Sequence, residues 1–365
     1  MKQYRLTEGA SIILDLIRGV SAQIVVIGHG ISFFGIFNFL HEPHFPWMQN
    51  IAVLIFFLLS GFLISYSTVS KAHAGGYRYS HYFADRFSRI FTAFIPAILF
   101  VLVIDLVSQA VSEEAYGYMD AFNLKTFVGN ILMLQEYPLI KHSTYKITSF
   151  GSARPFWTLA IEWWIYLSFG YLLLVIFKSQ KVSIPSFLIL LFLSVVPIYN
   201  LAMSTGLTVF WMFGLLVYVL STLNILCNVH SNIKIMFFFI FCGLGIIRSY
   251  LIMNAYDAIF AFLLAIALWL IIDIYTVRKF SGRWTKIIRY NASISYTLYL
   301  IHYSILSFLK THFGDTSNPY LLFSIGFVIA NIASVLIGRY TETGLTKKVK
   351  QGFYNLIDKK RPQAA

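Results

Sequence analysis

Charged residues are scarce in this sequence. Only 12% of its 365 residues are Asp, Glu, Lys or Arg, whereas 58% are hydrophobic, and the mean hydropathy is +0.72. A soluble chain of this length could not bury so much apolar surface. The composition therefore excludes a soluble globular domain and predicts an all-α polytopic membrane protein.

Acidic residues and cysteines are also few. The 15 Asp and Glu face 28 Lys and Arg, which gives a formal charge of +13. Because cytoplasmic loops of membrane proteins are basic, this excess does not indicate a nucleic-acid site. Cys227 and Cys242 have neither metal-ligand nor disulfide spacing, so no metal is predicted. The sequence also contains no glycine-rich phosphate loop and no nucleophile-elbow serine.

Ten apolar runs are long enough to predict membrane-spanning helices. They lie at about 11–37, 47–68, 90–111, 155–177, 184–203, 207–227, 234–253, 256–275, 292–310 and 319–341. A shorter stretch, 124–137, is ambiguous. If it does not cross the bilayer, most Lys and Arg fall on one side, so the positive-inside rule predicts ten spans with both termini cytoplasmic.

This topology leaves residues 112–154 as the one larger outer loop, with a re-entrant or interfacial helix near 124–137. Residues 1–345 form a single transmembrane domain in this interpretation, and residues 346–365 form a basic cytoplasmic tail. Scattered apolar residues in that tail favour an interfacial helix on anionic lipid.

The first span carries polar residues that a membrane helix normally avoids, including Arg18 and His29. The two are eleven positions apart, which is close to three whole helical turns, so both project from one face, about 16 Å apart along the axis. Groups that are costly in lipid usually line a cavity. A hydrogen-bonded core histidine is the structural alternative for His29.

Glu162 lies about two turns into the fourth span, at a depth that His29 can share in the predicted topology. A carboxylate beside an imidazole fixes its tautomer and raises its basicity, which suits a general base. Glu162 could equally pair with an inward-facing arginine such as Arg248.

Further polar or small residues stand inside or beside spans. Arg86 and Arg89 share a helix face and suit phosphate oxygens, although a basic cluster at this position often only marks topology. Ser60 and Gly61 favour close helix packing. Arg339 and Glu342 have the spacing of an ion pair at a helix end.

His302 follows hydroxyl-bearing neighbours, among them Tyr299, that could line a wet cavity or bond across helices. Trp157, Trp163 and Trp164 fit an interfacial aromatic belt, and they would also make a stacking platform for a sugar ring.

In these residues the sequence resembles the acyltransferase-3 family of integral membrane O-acyltransferases. That family has an arginine, ten intervening residues and a histidine in its first span, which Arg18 and His29 match. The similarity continues, in the expected order along about residues 11–345, through Phe57–Ile64, Arg86 and Arg89, Phe156–Trp163 and Ser295–His302. The family often has a proline soon after the arginine pair, whereas here the first is Pro96.

The resemblance implies transfer of an acyl group, usually acetyl, from cytoplasmic acyl-CoA to a hydroxyl of an extracytoplasmic or lipid-linked glycan at a bacterial inner membrane. His29 would be the catalytic base or a transient acyl carrier, and Glu162 its partner. Arg18 would complete the catalytic set. The residues matched to donor binding are Arg18, Arg86 and Arg89, with Ser60 and Gly61 beside them. The candidates for acceptor binding are Trp157, Tyr299 and His302.

Two other functions remain open at the level of sequence. Buried His, Glu and Arg also serve proton coupling, so a secondary transporter or a flippase for a lipid-linked glycan is the main alternative. The lack of an internal repeat speaks against it. A membrane scaffold that binds a polyprenyl-linked sugar without turnover is a weaker option. The sequence defines no oligomeric state.

Overall fold

The computed structural model describes residues 4–179, 181–203, 205–278, 280 and 282–359. Within these ranges the chain is all-helical, and no strand occurs. Basic residues at the two ends of the sequence, such as Lys2 and Arg361, lie outside the described residues. In chain order the α-helices are α1 Glu8–Phe34, α2 Met48–His73, α3 Tyr79–Val111, α4 Leu124–Ile131, α5 Pro138–Lys141, α6 Phe156–Tyr171, α7 Ile184–Met203, α8 Leu207–Thr222, α9 Ser231–Ile252, α10 Ala258–Thr276, α11 Arg283–Phe313, α12 Pro319–Gly338 and α13 Thr346–Lys359.

Two π-helical segments continue helices without a break. Leu172–Ile176 extends α6, and Arg339–Leu345 joins α12 to α13. Counted with these extensions, nine helices of the described chain are long and apolar enough to cross a membrane. They coincide with nine of the ten predicted runs. The tenth, α8, is apolar but has only 16 residues.

The ambiguous stretch near 124–137 contains the short helix α4. Its eight residues reach about 12 Å, so it cannot cross a bilayer whose apolar core is about 30 Å thick. Asn123 caps its first turn by accepting a hydrogen bond from the backbone N–H of Thr126 at 2.9 Å. Asn130 Nδ2 then donates to the carbonyl of Thr148 at 2.7 Å, which fixes α4 to the following loop.

The helices form two compact units. The first unit comprises residues up to Ser70 and Asn200–Ser295, and it holds α1, α8, α9, α10, most of α2 and the start of α11. Helices α2 and α8 cross at two glycines, where a Cβ on Gly61 would collide with the Trp211 carbonyl and one on Gly214 with the Leu58 carbonyl. The packing predicted for Gly61 is confirmed by this crossing.

Two ion pairs connect α9 and α10 within the first unit. Lys234 Nζ lies 2.5 Å from Asp273 Oδ2, and Arg248 Nε lies 3.0 Å from Asp257 Oδ1. Asp257 also caps α10, because it accepts the backbone N–H of Phe260 at 2.8 Å. Arg248 therefore has a carboxylate partner inside this unit, and its suggested pairing with Glu162 stays a prediction.

The second unit comprises Lys71–Tyr199 and the chain from Tyr296, and it holds α3 to α6, most of α7, the rest of α11, α12 and α13. Its central element is α3, a helix of 33 residues that continues through Pro96. Gly170 of α6 packs directly against the ring of Tyr82, whose hydroxyl donates to the Tyr166 carbonyl at 2.9 Å.

The interpretation of Trp163 and Trp164 as members of an interfacial belt is wrong, because both are buried. Trp163 packs its ring against Phe91 of α3, with centroids 5.2 Å apart. Trp164 donates its indole N–H to the carbonyl of Met133 at 2.8 Å, beyond the end of α4. Their apolar area holds α6 against its neighbours in the second unit.

Candidate functional site

Helix α1 carries Arg18 and His29 on the face that the sequence predicted. It is a continuous α-helix from Glu8 to Phe34, so the spacing of eleven residues corresponds to about 16 Å along its axis. Arg18 Nη2 forms an ion pair with Asp15 Oδ1 at 2.7 Å, one turn earlier. Since both side chains remain partly accessible, this pair keeps a cation on α1 without burying it.

His29 stands between two buried glycines, Gly28 and Gly30, and is itself half-buried. A Cβ on Gly28 would collide with the side chain of Gln49, near the start of α2. The absence of a side chain at residue 28 therefore allows α2 to approach α1 closely beside the imidazole. Such packing restricts the position of His29 more tightly than an isolated helix would.

Ser60 and Gly61, which the resemblance also matches to donor binding, lie at the crossing of α2 and α8. Trp211 donates its indole N–H to Ser60 Oγ at 3.2 Å. Gly61 is buried against the backbone of α8. Their contacts in the first unit are thus helix-packing contacts, and a role in donor binding stays a prediction.

Arg86, on α3 in the second unit, is a cation held against aromatic rings. Its guanidinium lies over two aromatic rings, 5.6 Å from the centroid of Tyr82 and 6.0 Å from that of Tyr166. Within the described part of the chain it forms no ion pair, and its buried Nε has no hydrogen-bond partner. A cation fixed by aromatic faces and not neutralised is suited to bind an anionic ligand.

Arg89, one turn further along α3, is neutralised. Its Nη2 lies 3.4 Å from Glu342 Oε2, in the π-helical segment, and its guanidinium lies over the ring of Tyr296. The other oxygen of Glu342 accepts hydrogen bonds from the backbone N–H and the hydroxyl of Thr297, at 2.8 and 2.7 Å. The ion-pair partner of Glu342 is therefore Arg89, and the predicted helix-end pair with Arg339 is wrong.

Glu162 is half-buried on α6 and accepts a hydrogen bond from the hydroxyl of Tyr166, one turn later. Tyr296 of α11 lies within electrostatic reach of both Glu162 and Arg89. The second unit therefore brings Glu162 and the two α3 arginines to the same group of tyrosines. The sequence did not identify Tyr166, although its i+4 spacing from Glu162 is a recognisable signal. The pairing of Glu162 with His29, which belongs to the first unit, stays a prediction.

The three candidate acceptor residues lie on α6 and α11. The hydroxyl of Tyr299 is 2.5 Å from that of Thr158, next to the half-buried Trp157. His302 is fully buried, and its Nδ1 lies 3.0 Å from the Leu298 carbonyl. The hydrogen bond fixes the His302 ring inside the unit, whereas Trp157 and Tyr299 retain accessible surface.

A cavity of about 610 Å³ lies beside α3 in the second unit. Its lining is apolar except for Thr92, whose hydroxyl is engaged by the Ser88 carbonyl and by Thr346. On α3 the cavity wall includes Thr92 and Pro96, which at about 100° per residue lie about 60° and about 20° around the helix from Arg89. The cavity wall therefore reaches the side of α3 that carries Arg89, although the residues that line the cavity do not include Arg86 or Arg89. The cavity is lined by Phe87, Phe91, Thr92, Ile95, Pro96, Ile131, Leu132, Trp163, Leu345 and Val349.

The apolar helices, and the ionisable residues Glu162, Arg86 and Arg89 among them, define a class: a multi-pass membrane protein with ionisable groups inside its helical units. Residues 12–339 match the acyltransferase domain of the acyltransferase-3 family, which is nearly the whole chain. The chain belongs to that family, so the resemblance predicted from the sequence is confirmed.

One curated relative is similar over a shorter region. It is the Rhizobium radiobacter protein named Protein 2 in picA locus, which is 32% identical over 87 residues. The aligned region covers 24% of this chain and 41% of that relative, so the match spans less than half of the relative's length. No solved structure matches the chain.

Proposed function

We propose that this protein is an O-acyltransferase of a bacterial inner membrane. It transfers an acyl group, in our proposal acetyl, from cytoplasmic acyl-CoA to a hydroxyl of an extracytoplasmic or lipid-linked glycan such as lipopolysaccharide. The proposal is carried by Arg86, whose guanidinium forms no ion pair within the described residues, in a chain of the acyltransferase-3 family. A CoA thioester presents phosphates, and a guanidinium held on aromatic faces is suited to bind them.

The proposed chemistry requires a base and a held thioester. His29 accepts the proton of the acceptor hydroxyl as its oxygen attacks the thioester carbonyl carbon. The carbon–sulfur bond then breaks, and the departing thiolate takes up the proton. Glu162 is proposed to act together with His29 by favouring its protonated form. Holding both reactants in one place would supply much of the rate, because it removes the entropic cost of their encounter.

The apolar cavity supports a lipid-linked acceptor over a free sugar. Almost every group in its wall is hydrocarbon or aromatic, and two residues at its rim, Leu132 and Leu345, are exposed. A wall of this kind cannot satisfy sugar hydroxyls, which lose free energy when they are buried without hydrogen-bond partners. We propose that it accommodates a hydrocarbon chain of the acceptor, while the glycan itself is acylated elsewhere.

The base is tested by the substitution His29→Ala in the intact membrane protein. We expect O-acyl groups to disappear from surface glycan, measured by mass spectrometry, while the protein remains at normal abundance in the membrane. His230→Ala changes an exposed histidine at the start of α9 and is the matched control, with unchanged acylation expected. Full acylation in the His29→Ala cells would contradict the catalytic role.

The same experiment discriminates the transporter alternative. An acyltransferase without its base leaves glycan on the cell surface in unacylated form. A flippase without its proton-coupling histidine leaves the glycan inside. Loss of the glycan itself from the surface would therefore favour transport over acyl transfer.

A further inference from the structure

The C-terminal helix α13 lies beyond the part of the chain that matches the family, which ends at residue 339. The sequence gives it the character of a basic tail, yet in the second unit it packs along the start of α3. The hydroxyl of Thr346 lies 2.7 Å from that of Thr92, and the ring of Phe353 packs against Phe87 with centroids 5.4 Å apart. Helix α13 is therefore fixed to the helix that carries both arginines.

The tightest link between the two helices is Asp85. Its carboxylate is almost fully buried, and each of its oxygens receives two donors. Oδ1 accepts from Lys350 Nζ at 2.8 Å and from the hydroxyl of Tyr354 at 3.0 Å, both on α13. Oδ2 accepts from Lys71 Nζ and from the hydroxyl of Tyr77 at 2.8 Å. A carboxylate has about four acceptor positions, so all of those on Asp85 are occupied.

Tyr77 contributes to this arrangement because it lies in the loop before α3 and stays protonated. Burial, and then the negative charge of Asp85, raises the pKa of Tyr77 well above that of a free tyrosine. Its hydroxyl thus remains a donor at every physiological pH. A further contact, between His81 Nε2 and Asp358 Oδ1 at 3.3 Å, joins the same two helices on the same side.

The saturation of Asp85 has a consequence for the next residue, Arg86. Arg86 lies within electrostatic reach of Lys71, Tyr77 and Tyr354 of this cluster, and it has no ion pair of its own in the described chain. If an oxygen of Asp85 lost its donors, a buried carboxylate would be left with an open acceptor position beside a free guanidinium. Arg86 would then be drawn to Asp85, and its charge would no longer be available to a ligand.

We propose that α13 is a structural part of the donor site, and that Lys350 and Tyr354 are positioning residues that keep Arg86 available for the donor's phosphates. They act through Asp85, whose acceptor positions they fill. Glu342, in the π-helical segment that leads into α13, has the opposite effect on Arg89, because it forms an ion pair with that arginine. This inference rests on the proposed function, since it takes a CoA thioester as the donor.

The test measures binding of CoA itself to the purified, full-length protein in detergent, by titration calorimetry. Tyr354→Phe removes one hydrogen bond to Asp85 without changing any charge, and we expect it to weaken CoA binding about threefold to tenfold. Tyr340→Phe is its control, because Tyr340 is exposed and lies in the same continuous helical stretch, Pro319–Lys359. Lys350→Met should weaken binding at least as much, whereas the same change at the exposed Lys348 should have little effect.

A second variant separates this positioning role from a merely structural one. Adding Asp85→Asn to Lys350→Met removes the carboxylate that would capture Arg86, so CoA affinity should return towards that of the wild type. A loss of packing would not be restored by a further substitution. If Lys350→Met does not yield folded protein, Tyr354→Phe and its control carry the test alone.

The outcomes distinguish this inference from the proposed function. If the wild type binds CoA and Tyr354→Phe binds it equally well, the positioning role is wrong and the donor assignment stands. If the wild type does not bind CoA, the donor assignment fails, and the inference that depends on it fails as well.

Discussion

Arg86 and Arg89 are identical in type and lie one turn apart, yet their surroundings assign them different tasks. Arg89 is paired with a carboxylate, Glu342, whose side chain is 1% exposed. Arg86 lies over two aromatic rings and forms no ion pair with any residue that the structure describes. Removing one partner of a buried pair leaves an uncompensated charge, whereas removing an unpaired cation at the surface of a site does not. The two substitutions should therefore be separable in stability and in ligand binding.

We expect Arg86→Gln to weaken CoA binding about tenfold or more while the melting temperature changes little. Arg89→Gln should lower the melting temperature by several degrees, because Glu342 remains buried with Thr297 as its neutral donor. Calorimetric titration and thermal unfolding in detergent measure the two effects. Equal losses of stability in both variants would contradict this division.

At the scale of the helices, the crossing of α2 and α8 depends on the absence of two side chains. Lipid tails are as apolar as the surface of a helix, so the hydrophobic effect does not drive two helices together in a membrane. Close approach of the backbones therefore holds such a pair together. The crossing also presents Ser60 to Trp211, so its geometry reaches a residue that the sequence associates with donor binding.

Gly61→Ala should destabilise the protein by about 1–3 kcal/mol, as overpacking in a close-packed interior does. The matched control is Gly243→Ala in α9, where an added Cβ would meet nothing within 4 Å. There the substitution should be neutral or slightly stabilising, since alanine favours helix. Thermal unfolding in detergent compares the two variants. Equal melting temperatures would show that the crossing tolerates a side chain.

At the scale of the whole molecule, orientation in the membrane remains our proposal, and it depends on the segment 112–154. The structure supports a segment that does not cross, because α4 is only eight residues long. The predicted ten spans then place both termini and the basic loops in the cytoplasm.

A single cysteine decides the orientation. In a chain whose Cys227 and Cys242 are replaced by serine, Tyr145→Cys provides an exposed thiol in the proposed outer loop. We expect a membrane-impermeant thiol reagent to label it in intact spheroplasts. Lys348→Cys, on α13, should be labelled only after the membrane is permeabilised. The reverse pattern would overturn the orientation.

Hydropathy was sufficient to predict the helices, because the cost of an unsatisfied backbone in lipid leaves few alternatives. The positions of Arg18 and His29 on one face also followed from helical geometry alone. The ion-pair partners of the charged residues could not be predicted in this way. Arg248, Glu342 and Asp85 each pair with a residue distant in sequence or on another helix, and no periodic pattern reports such a meeting.

The burial of Trp163 and Trp164 was missed for a related reason. From sequence alone, a tryptophan near the start of a predicted span can face the interface or pack against a neighbouring helix. The contacts with α3 and with the loop after α4 show that Trp163 and Trp164 pack inside the protein. The role of α13 was hidden in the same way, since its basic composition is also that of a solvated tail.

The angular position of α13 against α3 depends on the number of residues between the π-helical segment Arg339–Leu345 and Lys350. One residue inserted into the first α-helical turn of α13 would rotate everything after it by about 100°. Lys350 and Tyr354 would then face away from Asp85 although no residue of the cluster had been altered. Extensions after residue 359 cause no such rotation, so fusion partners and affinity tags belong at that end.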